Sequence, residues 1–312
     1  MSPTSSRGHA PILALASALA VAALPGVSAA KTAPSSGAGP TRADAGQVEH
    51  YVALGDSFTS GPFISPMESD PVFCLRSENN YPNVVADALD VAEFDDVSCA
   101  MAETEHMTEP QSLGIGPTNP AQFDALRADT SLVTLGIGGN DLGFLEVLLK
   151  CSALSATNPT GAPCREHFAG DGGDELRERL PEVGEDIAAA LAGIRERSPE
   201  ATIAVVGYLQ VLPEERGCWP RVPIARGDVA YLDETQTALN AEIEKRAADA
   251  GVAYVDVFER GHDVCAEPAE RWVEGIFPDQ PAAPAHPNKA GMAETGTRVL
   301  AALRDAEPAP LP

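Results

Sequence analysis

Five short apolar runs recur along the chain, at residues 50–54, 94–97, 131–136, 202–207 and 252–257. The strongest of them, SLVTLGI, TIAVVGY and VAYVDV, are rich in Val, Ile and Leu and close on Gly or a polar loop. Strands buried on both faces read this way. Between them the apolar spacing changes to that of helices. Leu180, Val183, Ile187, Leu191 and Ile194 recur every three or four residues, with Pro181 suited to the first turn. Leu232, Leu239, Ile243 and Ala247 form a second stripe, for which Asp228 is the expected cap. Val299, Leu300 and Leu303 belong to a last helix opened by Asn288. Strand–helix alternation of this kind predicts an α/β fold with a parallel sheet covered on both faces.

The two ends of the chain follow other rules. In residues 1–30 the only charged side chain is Arg7, and an apolar run at 11–24 leads to the small residues of GVSAA. That is the pattern of a secretory signal, and the run is too short to span a bilayer. Residues 31–47 are rich in Gly, Ser, Ala and Pro and read as a flexible leader; residues 307–312 read as a disordered tail. Residues 48–306 remain as one domain. No other segment is long and apolar enough to cross a membrane, so an extracellular protein is expected, free or held at the cell wall, without a transmembrane anchor after processing, and monomeric.

Charge narrows the partners. The chain has 46 acidic and 21 basic side chains, a net charge of −25. A surface of that sign argues against nucleic acid and against electrostatic docking on an anionic membrane. The six cysteines, Cys74, Cys99, Cys151, Cys164, Cys218 and Cys265, all follow the signal. An even number in an exported chain points to disulfides, and no CxxC or HExxH spacing suggests a metal. Six cysteines allow 15 pairings. A flavodoxin-like strand order, 2-1-3-4-5, would make Cys74 and Cys99 neighbours after the first two strands. Cys218 and Cys265 would be neighbours after the last two, and Cys151 and Cys164 bracket a short polar excursion. The pairing 74–99, 151–164 and 218–265 then needs no bridge across the sheet.

In parallel α/β sheets, functional loops gather beyond the carboxyl ends of the strands. Three polar motifs fall there. GDSFTSG, residues 55–61, places Ser57 after the first strand, as a nucleophile or as a hydroxyl that caps a helix. GIGGND, residues 136–141, brings Asn140 after the third, as an amide donor or as part of a Gly turn. AHPNKAG, residues 285–291, brings His286 after the fifth, as a base or as a solvated loop histidine.

Together, GDSFTSG, GGND, HPN and the cysteine spacing resemble the SGNH, or GDSL, hydrolase superfamily, and most of all its secreted actinobacterial lipases and esterases with three disulfides. The resemblance spans residues 50 to about 305. It implies a three-layer α/β/α sandwich with a five-stranded parallel sheet, no cofactor and no metal. It implies Ser57 as nucleophile, His286 as general base, and oxyanion donors from the Ser57 backbone, from Asn140 and from position 101. The implied function is hydrolysis of carboxylic esters of lipids or related acyl compounds. Removal of acetyl groups from polysaccharide, or a non-catalytic binding domain, are the alternatives.

Two positions depart from the family pattern. Met101 stands where relatives have a glycine, which leads to the expectation that its φ is not positive and that its side chain lines the acyl site. Ala283 stands where many relatives have the triad's aspartate. A backbone carbonyl of the turn at 283–285 is expected to hold the imidazole, with Asp279 the alternative. Phe58, Phe63, Ile64, Met101, Phe144 and Leu145 line an acyl groove or belong to the ordinary core, and His262, Trp219 and Trp272 are expected to be structural.

Overall fold

A computed structural model of the protein describes residues 48–306, except 70, 113, 115 and 171. All of them fall in one compact unit, Ala45–Pro312. The expected signal, leader and tail lie outside the described residues.

Five strands, β1 (His50–Gly55), β2 (Glu93–Asp96), β3 (Leu132–Gly136), β4 (Thr202–Val206) and β5 (Ala253–Val255), form one sheet in the order β2-β1-β3-β4-β5. Every pairing is parallel, with Tyr51 opposite Leu132 and Gly55 opposite Gly136 in the β1–β3 ladder. Among the described residues seven α-helices accompany them: α1 (Ser57–Ser60), α2 (Tyr81–Leu89), α3 (Phe144–Ser155), α4 (Pro163–Phe168), α5 (Glu175–Arg197), α6 (Val229–Asp249) and α7 (Lys289–Ala306).

The strands alternate between two cores, as the period of two requires. Tyr51 and Ala53 of β1 enter one core with Ala204 and Val206, packed by Tyr81 and Val85 of α2 and by Met292 and Val299 of α7. Val52 and Leu54 enter the other with Val133, Leu135, Ile203 and Val205, packed by Ile187, Leu191 and Ile194 of α5 and by Leu239 and Ile243 of α6. Burial on both sides is what removes a polar period from β1, β3 and β4. His50 and Thr134 are the buried polar exceptions, Thr134 bonding the Tyr51 hydroxyl at 2.8 Å, and the edge strands β2 and β5, expected to be buried, are half-exposed over most of their length.

Two expectations about helix starts are corrected. Pro181 does not open α5 but sits inside it as the seventh residue. The Asp174 carboxylate accepts the Arg177 N–H at 3.2 Å and starts the helix a turn and a half earlier. Asp228 precedes α6 without a side-chain bond to it. Its carboxylate instead accepts the N–H groups of Cys164 and Arg165, at 3.0 and 2.9 Å, and so caps α4 across the molecule. Asn288 does open α7, accepting from Ala290 and Gly291. The disulfides are Cys74–Cys99, Cys151–Cys164 and Cys218–Cys265.

Candidate active site

The site is built where β1 stops. Gly55 has φ +157°, and a Cβ there would lie 2.6 Å from the Gly136 carbonyl oxygen and 2.2 Å from Thr59 Oγ1. Only glycine lets the chain pass so close to β3 before it turns. Gln122 holds this residue by both backbone groups, accepting its N–H at 2.8 Å and donating to its carbonyl at 2.9 Å.

Asp56, not Ser57, is the cap of α1: its carboxylate accepts the Phe58 N–H at 2.8 Å. Ser57 is therefore the first helical residue, and its hydroxyl is free of capping duty. That side chain is buried, and Oγ lies 2.7 Å from His286 Nε2. The other ring nitrogen, Nδ1, lies 2.8 Å from the Pro284 carbonyl. A carbonyl can only accept, so Nδ1 carries the proton and Nε2 accepts from the Ser57 hydroxyl.

The histidine loop is fastened from several sides. Ala283 N–H donates to the Pro62 carbonyl at 3.0 Å, Glu274 N–H donates to the His286 carbonyl at 2.9 Å, and Ala285 is left-handed at φ +60°. Behind the loop, buried Arg271 donates to Glu274 at 3.0 Å and to Asp279 at 2.8 Å. Asn288 Nδ2 donates to Glu274 Oε1 and to the Arg271 carbonyl, both at 2.8 Å. Asp279 is thus engaged by a guanidinium, which holds its carboxyl below the ordinary range. It is a clamp on the loop and makes no bond to the imidazole.

Position 101 overturns the expectation attached to it. Met101 has φ +64° and is 42 % exposed. Its turn closes with the Ala102 N–H donating to the Cys99 carbonyl at 3.1 Å, which puts Met101 at the third position of a β-turn. Positive φ at that position ordinarily selects glycine. The left-handed conformation costs a methionine about 1–2 kcal/mol. Nearby, Asn140 Nδ2 donates to the Ala102 carbonyl at 2.8 Å, which leaves its second N–H for another acceptor. Asp141 accepts the Thr104 N–H at 2.9 Å and ties the loops after β2 and β3 together.

Ser57, Asn140 and His286 face one cavity, whose walls include Phe58, Phe144, Leu145, Leu148, Val211 and Leu239. Of the six residues assigned to a groove or the core, Phe58, Phe144 and Leu145 line the groove. Ile64 is in the core, and Phe63 and Met101 are exposed to solvent. The structural assignment of His262 agrees with its contacts: the ring stacks on Trp272 at 3.7 Å and bonds the Glu270 carbonyl.

One group here escapes a sequence reading. Tyr208, just after β4, accepts the Gly139 N–H at 2.7 Å and donates to Asp56 Oδ2 at 2.5 Å. Burial pushes the Asp56 carboxyl up to about 7, against the lowering effect of the bonds from Tyr208 and Phe58. The Pro284 carbonyl lies in the 283–285 turn expected to hold the imidazole, and the fold selects it from the three. Burial also lowers the pKa of His286, and the Pro284 bond offsets part of that shift. Among the described residues, His50, Glu93 and Asp95 could gather round an ion at the amino edge of the sheet, but Glu93 there takes two N–H groups of Arg127 at 2.7 Å each.

A parallel α/β sandwich that brings a serine hydroxyl, an imidazole and an amide to one apolar cavity has the build of a serine hydrolase. The chain belongs to the GDSL-like Lipase/Acylhydrolase family, whose profile matches residues 53–294, and it is thereby a carboxylic ester hydrolase. It is 37 % identical over 260 residues to Lipase 2 of Streptomyces coelicolor, covering 80 % of this chain and 85 % of that one. It is 33 % identical over 262 residues to an esterase of Streptomyces scabiei, covering 73 % and 75 %. Among solved structures, phospholipase A1 from Streptomyces albidoflavus superposes with a TM-score of 0.66 at 27 % identity, covering 82 % of this chain and 99 % of that one. The extracellular lipase of Streptomyces rimosus gives 0.66 at 25 % identity, covering 81 % and 99 %.

Proposed function

We propose that this protein is an exported serine esterase or lipase that cleaves acyl esters through an acyl-enzyme on Ser57. The observation that carries this is the 2.7 Å bond from Ser57 to His286 in the wall of an apolar cavity. Ser57 Oγ attacks the ester carbonyl carbon while its proton passes to His286 Nε2. The oxyanion takes the second N–H of Asn140 and the backbone N–H groups of Ser57 and Met101; each such donor is worth about 10²–10³ in rate. Nε2 then returns the proton to the alcohol oxygen as the C–O bond breaks. Water enters by the same base catalysis, and the free acid leaves.

Pro284 holds the tautomer and shares the positive charge of the imidazolium, in the place where other triads use a carboxylate. A cavity walled by Phe and Leu suits an alkyl chain better than a sugar, which favours acyl lipids, as the names of the Streptomyces relatives also do, over acetylated polysaccharide. Residues 1–30 serve as the export signal. Three disulfides support an oxidising destination, and no helix among the described residues is long and apolar enough to cross a membrane. The mature protein acts as a monomer at or beyond the cell wall, and its acidity keeps it from nucleic acid.

The test uses purified protein, p-nitrophenyl esters and an alkyl fluorophosphonate. The fluorophosphonate is expected to label Ser57, and His286→Ala to lower turnover by about 10³-fold or more with folding intact. Labelling elsewhere with full turnover in the Ser57→Ala protein would refute the assignment.

A further inference from the structure

Among the described residues, five large apolar side chains are exposed: Phe63, Met101, Leu149, Trp219 and Phe277. Each comes from a different segment, those that follow β1, β2, β3, β4 and β5 in turn. The described residues of the connections at the amino edge of the sheet contribute none.

Three of the five are tethered to the site and two to the cavity beside it. Phe63 follows Pro62, whose carbonyl holds the histidine loop at Ala283. Met101 precedes Ala102, whose carbonyl holds the Asn140 amide. Leu149 lies one helical turn beyond Leu145 of the cavity wall. Trp219 follows Cys218, which is bridged to Cys265 beside Val264, and Phe277 follows Ile276; Val264 and Ile276 line an adjoining cavity.

Phe63 and Met101 are moreover left-handed, at φ +66° and +64°. Two unfavourable features, a disfavoured backbone and an apolar side chain in water, coincide at both residues. A surface that covered these side chains would offset the cost of exposing them.

We infer that these five side chains form a docking surface that seats the mouth of the active site on a lipid–water interface without net charge. The inference rests on the acyl-lipid reading given above. Charge selects the kind of surface: with 46 acidic and 21 basic side chains, the protein is repelled by anionic lipid. Attachment therefore depends on apolar insertion alone, and zwitterionic or uncharged lipid is the partner it fits.

The experiment uses the full chain carrying Ser57→Ala, so that lipid is not consumed, mixed with phosphatidylcholine vesicles and floated on a gradient. The protein is expected to float, and adding phosphatidylglycerol to the vesicles to reduce its bound fraction. Adding Phe63→Asn and Phe277→Ser is expected to lower the bound-to-free ratio by about tenfold per residue. Asparagine is chosen because it tolerates positive φ. Emission from Trp219 is expected to shift to the blue on binding, a signal lost in Trp219→Phe. With Ser57 intact, the Phe63→Asn/Phe277→Ser protein is expected to keep hydrolysis of a soluble short-chain ester within about twofold while losing that of dispersed lipid.

Equal flotation with and without the two substitutions, or no flotation of the Ser57→Ala protein, would overturn the inference. So would a shift from dimer to monomer on substitution in place of a loss of flotation, since the surface would then belong to a second copy. Failure of the unaltered protein to hydrolyse the soluble ester would remove the acyl-ester reading beneath it.

Discussion

At the residue scale, the site is set by the two ring nitrogens of His286. His286 Nδ1 is committed to the Pro284 carbonyl, so Nε2 has nothing to do but face Ser57. The pH dependence follows from this. Nε2 accepts the serine proton only when unprotonated, and burial holds the ring pKa below its usual 6.5. The acid limb of kcat/KM for a soluble ester should therefore have its midpoint below pH 6.5. A profile of kcat/KM against pH checks this, and a midpoint above 6.5 would contradict it. The serine, amide and histidine are legible in the sequence because each stands in a short motif. Asp56 is legible only as part of GDS. Its partner Tyr208 is 152 residues away, and Gln122 is 67 residues from the glycine it clamps, so neither bond leaves a local trace.

At the element scale, α3 separates two cavities. The one at Ser57 and its neighbour share Leu148, Val211 and Ala285 as a common wall. Leu148→Ala is expected to join them and shift the preferred acyl chain to greater length, at a stability cost of about 2–5 kcal/mol. A series of p-nitrophenyl esters, with thermal unfolding alongside, measures both effects. Existence and type of the strands and of the main helices could be read from apolar spacing, but where α5 begins could not. Pro181 marks a helix start when judged alone, yet the Asp174 cap and the acidic first turn, Glu175 and Glu178, place the start earlier. The helix then carries an internal proline that removes one hydrogen bond from the Arg177 carbonyl. Asp228 shows the same limit, since a capping side chain can serve any N-terminus within reach and here serves α4.

At the scale of the whole molecule, the sheet collects the chemistry on one edge and the disulfides hold the loops there. Cys218–Cys265 closes a separation of 47 residues and lies beside Val222 and Val264 of the second cavity. Replacing both cysteines by serine should cost about 2–4 kcal/mol of stability. It should leave KM for acetate and for long acyl esters unchanged, because those walls belong to the cavity that Leu148, Val211 and Ala285 divide from Ser57. Calorimetry and a comparison of the two KM values test this; an equal rise for both esters would place the effect at the catalytic residues.

What the sequence determined by itself is what neighbouring residues can encode. Strands buried on both faces, helical stripes, the polar motifs at strand ends and an even set of cysteines are patterns of contiguous positions, and period and motif spacing carry them. Only the tertiary structure decided which carbonyl orients His286, that Met101 is left-handed, that Arg271 engages Asp279 and that Phe63 faces water. Each of those depends on atoms brought together from distant segments, where the burial of one group and the hydrogen bond of another are set by how the whole chain packs.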